Sequence, residues 1–240
     1  MNRLGKGNAV IDFHSHVLPG IDDGSRSVEE SLEMLAASAG QGVTHMAATP
    51  HFDPLSTDPE RFLARRERAA EQLRAVWQPA LPSLLLGAEV YYFDGISRAA
   101  EVDALRIEGT SLLLLEMPLQ TWSHRVVAEI KNLHSRPGCS VMLAHIERYL
   151  GLQKEAVWDD LLEAGVLMQC NASFFLRWST KRRALHMFDA GRVHVLGSDC
   201  HNMADRAPRM GKALAAIGER RRQALERRSR MLLNLDGVVI

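Results

Sequence analysis

Cysteine and aromatic residues are scarce in this sequence: of 240 residues three are Cys, and Phe, Trp and Tyr together make up 6%. Three cysteines cannot all pair, and Cys139, Cys170 and Cys200 show no C-x-x-C spacing. That excludes a disulfide-held mini-domain and a zinc ribbon, and it fits a reducing, cytoplasmic compartment. Charge of one sign is missing too. Lys+Arg and Asp+Glu both count 29, which argues against a general nucleic-acid binder. No apolar run approaches the ~20 residues of a membrane-spanning helix. Met1 to Asn8 is followed by no apolar stretch long enough for a secretory signal. A dinucleotide fingerprint is absent, because Gly5-Lys6-Gly7 precedes the first expected strand instead of following it. Neither a linker nor an internal repeat divides the chain, so residues 1–240 are expected to form one domain.

What is present is a large apolar fraction, 46%, and ten histidines. Seven short, nearly continuous apolar runs read as strands: Val10–Phe13, Thr44–Thr49, Leu84–Glu89, Ser111–Glu116, Val141–His145, Val166–Asn171 and Val193–Ser198. Such runs suit strands covered on both faces, as in a parallel sheet. Helical patterns lie between them. Ser27 is a candidate N-cap with Glu30 three residues on, and Asp58-Pro59 opens a second helix. Further helices are expected over Ser123–Ser135, Lys154–Ala164, Ser179–Ala190, Ala204–Ile217 and a basic Glu219–Leu233. The alternation predicts a parallel (β/α) barrel of the TIM type, with an open doubly wound sheet as the alternative.

Polar residues of metal-ligand type recur at the strand ends. His14 and His16 follow the first strand and, with a period of two, point the same way. His51 follows the second, Glu89 and Glu116 end the third and fourth, His145 ends the fifth, Asn171 ends the sixth, and Asp199 and His201 follow the seventh. In a parallel barrel all these ends share the face on which active sites are built. His, Asp and Glu without Cys suit Mn2+, Fe2+ or Zn2+, and about eight ligands exceed what one ion takes. Two or three ions are therefore expected, with Glu89 placed to bridge. Clustered ions generate hydroxide at neutral pH and clamp a phosphoryl group. Taken singly, each residue has a plainer reading as a core or surface side chain; their recurrence at successive strand ends is what points to a site. His45, His124, His134, His186 and His194, mid-element or on helices, are assigned to structure, as are the three cysteines and four tryptophans, with Trp122 close enough to Glu116 to reach the site. Arg148 and Arg206, on loops after ligand-bearing strands, suit a bidentate grip on phosphate.

The stretches Ile11–Gly24 (IDFHSHVLPGIDDG), Ala48–His51 (ATPH), Gly87–Tyr91 (GAEVY), Leu115–Pro118 (LEMP), Leu143–Tyr149 (LAHIERY) and Gly197–Asn202 (GSDCHN) resemble, in order and over nearly the whole chain, the PHP (polymerase and histidinol phosphatase) superfamily. Within it they are similar to the bacterial protein-tyrosine phosphatases of capsule and exopolysaccharide gene clusters. The resemblance implies a distorted seven-stranded (β/α) barrel and a trinuclear site, often loaded with manganese. By motif, His14, His16, Glu89 and Asp199 would hold one ion; Glu89, Glu116 and His145 a second; Asp23, His51 and His201 a third. Spacing alone does not separate Asp22 from Asp23; the family pattern selects Asp23. Arg148 and Arg206 match phosphate-binding positions, and His201 shares the catalytic face with them. The implied substrate is phosphotyrosine on the C-terminal tail of a membrane tyrosine autokinase that controls polysaccharide export. Two other readings compete: a small-molecule phosphoesterase acting on histidinol phosphate or a sugar phosphate, and a non-catalytic module that binds the kinase tail. Cys200 and Arg206 have the C-x5-R spacing of thiol-dependent tyrosine phosphatases, but the intervening His-Asn-Met-Ala-Asp carries a carboxylate and no glycine, which a phosphate cradle does not tolerate. Oligomeric state is not fixed by the sequence.

Overall fold

A computed structural model describes residues 9–235; the Gly5-Lys6-Gly7 stretch lies outside them. In chain order the elements are β1 (Val10–Ser15), α1 (Val28–Gly40), β2 (Val43–Ala48), β3 (His51–Phe52), α2 (Pro59–Arg74), β4 (Ser83–Leu86), β5 (Glu89–Tyr91), β6 (Leu112–Glu116), α3 (His124–His134), β7 (Ser140–Leu143), α4 (Glu155–Glu163), β8 (Leu167–Asn171), α5 (Trp178–Asp189), β9 (Val195–Gly197), α6 (Met210–Ile217) and α7 (Glu219–Leu232). Every strand pairing is parallel.

The strands form two ladders, β1-β2-β4 and β3-β5-β6-β7-β8-β9. They meet where two expected strands are broken. The second runs as β2 and β3 with Thr49-Pro50 between, and the third as β4 and β5 with Gly87-Ala88 between. Glu89 is thus the first residue of β5 and not the end of an unbroken strand. Pro50 has no N–H to give to a neighbouring strand, although its carbonyl still accepts from Glu89 N at 3.0 Å, and Gly87 N donates to Ala48 O at 2.8 Å. The nine strands therefore fill seven positions. The first and last join through a parallel bridge between Ser15 and Cys200, with His16 N on Cys200 O at 2.9 Å and Asp199 N on His14 O at 2.8 Å. The result is a distorted (β/α) barrel of the expected class.

Strand alternation divides the apolar runs between two cores. Ile11, Phe13, Leu112, Leu114, Met142 and Val195 fill the barrel, joined by Leu233 just past α7. Val10, Leu113, Leu115, Val141, Leu143 and Leu196 face the helices. Each such side chain, fully buried, contributes about 1.5–3 kcal/mol of transfer free energy. This is why Leu112–Leu115 shows no polar alternation.

The helix caps follow local chemistry. Ser27 accepts from Glu30 N and Asp58 from Arg61 N, with Pro59 at the first helical position. The helix expected over Ala204–Ile217 is shorter and begins at Met210. Pro208 breaks its first half, and the Asn202 side chain organises a turn there by accepting from Ala204 N and Arg206 N. On the basic α7, Arg221 pairs with Asp189, Arg222 with Glu226, and Arg228 donates to Val193 O. Much of its charge is spent inside the fold. No helix among the described residues is long and apolar enough to cross a membrane.

Candidate metal centre

The C-terminal strand ends bring the expected residues together around one carboxylate. Glu89, 1% exposed, places Oε2 3.2 Å from His14 Nε2, 3.3 Å from His16 Nε2 and 3.0 Å from His51 Nδ1. None of these meets hydrogen-bond geometry, so Oε2 is buried and unpartnered among three ring nitrogens. Its other oxygen lies 2.7 Å from His145 Nε2. Glu116 lies 3.4 Å from His145 Nε2 and 3.8 Å from His51 Nδ1. On the far side, Asp23 Oδ1 is 3.4 Å from both His51 Nε2 and His201 Nε2. Asp199 Oδ1 is 3.7 Å from His14 Nε2 and 3.6 Å from both His16 Nε2 and His201 Nδ1. All nine residues singled out by sequence therefore share one face. Three overlapping groups have ligand atoms close enough for a cation: His14/His16/Glu89, His51/Glu89/Glu116 and His16/Asp23/His51/His201.

Hydrogen bonds behind the rings decide which nitrogen faces inward. His14 Nδ1 meets Gln169 Oε1 at 3.3 Å, His16 Nδ1 meets Asp22 Oδ2 at 2.8 Å, His145 Nδ1 meets the Tyr149 hydroxyl at 3.3 Å, and His201 Nδ1 meets Asp199 O at 3.1 Å. A nitrogen occupied on the outer side fixes the tautomer and leaves Nε2 with its lone pair toward the cluster. His14 and His16 consequently turn their Nε2 atoms to within 3.1 Å of each other, and His201 Nε2 is buried without a hydrogen-bond partner. Such a convergence of imidazole lone pairs and carboxylate oxygens is costly unless a cation lies among them. The donor set fits a hard or borderline divalent ion.

Electrostatics follow the same geometry. Burial opposes charge on His16, but its hydrogen bond to Asp22 and the nearby Glu89 carboxylate outweigh that and hold the imidazole up at about 9. Burial would raise Asp22, yet the same contact holds it down at about 2. Burial, then the charges of His16 and Arg206, push His201 down to about 4; its ring stacks 3.8 Å from that of His16, and two neighbouring imidazoles resist sharing charge. Against its burial, the surrounding histidines, His14 foremost, hold the Glu89 carboxyl well below the usual range.

The backbone is bent to deliver these side chains. Among the described residues three that are not glycine have positive φ, and two of them are His145 at 30° and Asp199 at 52°. Strain of this kind persists only where the surroundings over-determine it. Two glycines admit the close approaches. A Cβ on Gly24 would fall 2.2 Å from His16 O, and one on Gly197 would fall 2.5 Å from His14 Cβ.

Both expected arginines reach the cluster by holding Asp199. Arg148 Nη2 donates to Oδ2 and Arg206 Nη2 to Oδ1, each at 2.8 Å; Asn171 Nδ2 adds a third bond at 2.8 Å. Cys200 is fully buried at the bridge that closes the barrel, and burial pushes its thiol well above the ordinary range, so the C-x5-R spacing is accidental. Trp122 is buried against Tyr149 and Trp158, donating to Pro118 O. It approaches the site only through Tyr149. His134 and His194 accept backbone N–H groups of Val141 and Met168.

Sequence reasoning missed the supporting residues. Gln169, inside the apolar run of β8, also accepts from His145 N at 2.7 Å. Asp12 ties His14 N to Ser198 N across the barrel seam, and burial raises it to about 6. A buried amide and carboxylate inside apolar strands are the signals that mark them. Beside Asp199 opens a cleft of about 490 Å³ lined by both arginines, Asn171, Phe174, Arg177 and Arg209.

A closed parallel barrel with clustered histidines and carboxylates at its strand ends defines a barrel scaffold with candidate metal-binding groups on its catalytic-type face. Within that class, the chain belongs to the capsular polysaccharide synthesis CpsB/CapC family, whose model matches residues 10–234. It is 30% identical over 226 residues to tyrosine-protein phosphatase CpsB of Streptococcus pneumoniae, covering 88% of this chain and 90% of the relative. It is 27% identical over 205 residues to tyrosine-protein phosphatase YwqE of Bacillus subtilis, covering 82% and 79%. Crystal structures of YwqE and CpsB, described as metal-dependent tyrosine phosphatases, match it with a TM-score of 0.80 over 94% of both chains at 22% identity, a likeness that bears on the fold.

Proposed function

We propose that this protein is a metal-dependent protein-tyrosine phosphatase, acting in the cytoplasm on phosphotyrosines in the C-terminal tail of a membrane tyrosine autokinase of polysaccharide export. The observation that carries the reading is Glu89 Oε2, buried within 3.0–3.3 Å of nitrogens of His14, His16 and His51 and hydrogen-bonded to none. His14, His16, Glu89 and Asp199 would hold one divalent ion, Glu89, Glu116 and His145 a second, and Asp23, His51 and His201 a third, manganese being the first choice and iron(II) or zinc the alternatives. Bound there, the ions supply a hydroxide nucleophile at neutral pH and polarise the phosphoryl oxygens.

The chain's own residues do the rest. Arg148 and Arg206 line the cleft, retain 36% and 39% side-chain exposure, and are oriented by Asp199. They neutralise the equatorial oxygens of an entering phosphate. Gln169, Asp22 and Tyr149 keep the imidazoles in the tautomer that faces the ions. Tyrosine leaves as a phenolate of pKa about 10, so no strong acid is required. The described residues act as one catalytic unit, with no role for nucleic acid or membrane insertion.

The test is hydrolysis by manganese-loaded protein of a phosphotyrosine peptide against histidinol phosphate and a sugar phosphate. Preference for the peptide, loss on chelation and loss in His14→Ala are expected. Equal or better turnover of histidinol phosphate overturns the substrate assignment. Tail binding with no hydrolysis of any ester makes the protein a regulatory module.

A further inference from the structure

The cleft beside Asp199 contains more positive charge than one phosphate requires. Of its four arginines, Arg148 and Arg206 are occupied by Asp199. Arg177 and Arg209 are different. They stand just before α5 and α6, and among the described residues neither guanidinium has a hydrogen-bond or carboxylate partner. Some other arginines are neutralised within the fold, as Arg192 is by Asp159 and Arg221 by Asp189; what marks Arg177 and Arg209 is that they line the same cleft as the Asp199 clamp. The carboxylates of the same cleft are largely committed: Asp199 to the two catalytic-face arginines, and Glu147 to the backbone N–H of Asn171. Asp205 also lines the cleft. Phe174 and Leu176 supply an apolar wall, and Trp178, next to Arg177, is 97% exposed.

We infer that Arg177 and Arg209 form a second anion subsite, which takes a negatively charged side chain flanking the phosphotyrosine in the substrate peptide. The inference rests on the phosphatase reading and adds a sequence preference to it. One continuous cleft of about 490 Å³ runs from the Asp199 clamp to this pair. That is more room than a phosphate needs, and it is walled partly by apolar groups, which suits a peptide flank. Guanidinium binds carboxylate and phosphate by the same bidentate geometry, so the flanking anion is either an acidic residue or a second phosphotyrosine.

Three phosphotyrosine peptides of matched sequence separate the cases: one with a neutral flank, one with Glu and one with a second phosphotyrosine. For the manganese-loaded protein, kcat/KM is expected to be about tenfold higher for an anionic flank than for the neutral one. The gain should lie mainly in KM and shrink with salt. The double variant Arg177→Ala/Arg209→Ala should bring the ratio to about one, and Arg177→Lys/Arg209→Lys, which keeps the charge without the bidentate fork, should keep part of it, a partial rescue that a folding defect would not give. Anisotropy of the same labelled peptides on chelator-treated protein reads the preference without turnover. A preference in binding with no hydrolysis refutes the phosphatase reading and leaves the subsite standing. Hydrolysis with equal kcat/KM on all three peptides, or a preference that survives the alanine variant, overturns the subsite alone.

Discussion

His16 Nδ1 sits 2.8 Å from Asp22 Oδ2, and this contact turns Nε2 of that ring toward Glu89. The same Asp22 oxygen accepts from His51 N at 3.0 Å, and the other accepts from Gly24 N at 3.0 Å. One carboxylate thus orients two candidate ligands without being one. Asp22→Ala is expected to weaken metal binding by about 10–100-fold, read as a higher manganese concentration for half-maximal activity. Asp22→Asn, which keeps an acceptor, should lose less. Unchanged metal affinity in Asp22→Ala would refute the orienting role.

Arg148 and Arg206 share Asp199, so their effects are coupled. Either alanine variant should lower kcat on phosphotyrosine peptide by about 10²–10³-fold, the scale of losing one charge-stabilising donor, with metal content measured alongside. The double variant should fall short of the product of the two losses. A kcat within twofold of wild type in both single variants would remove them from the reaction.

At Gly197 the strand backbone passes so close to His14 that a methyl group would lie 2.5 Å from His14 Cβ and 2.8 Å from Gln169 Nε2. Gly197→Ala should destabilise the fold by about 1–3 kcal/mol or more, seen as a lower Tm, and should lower metal affinity by displacing His14. Gly24→Ala meets the backbone of His16 and should behave likewise. A wild-type Tm in Gly197→Ala would contradict the packing described.

Cys200→Ala is expected to retain phosphatase activity. Its thiol is buried and held well above the ordinary range by burial, so iodoacetamide should label it only after denaturation. Loss of activity in this variant with metal content intact would revive a thiol mechanism.

His194 offers a pH test away from the cluster. Its Nδ1 accepts from Met168 N at 3.0 Å, and burial, helped by Arg228, pushes it down to about 4. The unfolded chain takes up a proton near the usual 6.5. Its contribution is therefore whole above about 6.5 and is lost as pH falls toward 4. His194→Asn should flatten the decline of Tm across that window. An unaltered decline would locate the acid sensitivity elsewhere.

The sequence by itself determined the barrel class and which residues gather at the candidate site. Leu112–Leu115 could be placed because a strand covered on both faces leaves no polar alternation, and His14, His16, His51, Glu89, Glu116, His145, Asp199 and His201 because they recur where parallel strands end. The separate standing of Asp22 and Asp23 was beyond spacing. Adjacent residues point to different sides of a turn, and only the turn against Gly24 sends Asp22 behind His16 and leaves Asp23 facing His51 and His201. The splitting of two strands, the support from Gln169 and Asp12, and the presence of Arg177 and Arg209 in one cleft were likewise decided by tertiary structure. Each depends on groups far apart in the chain brought together by barrel closure, such as Asp12 on Ser198 and Gln169 on His14. Local patterns encode which way a side chain faces along its own strand; which distant partner it meets there is set by register and closure.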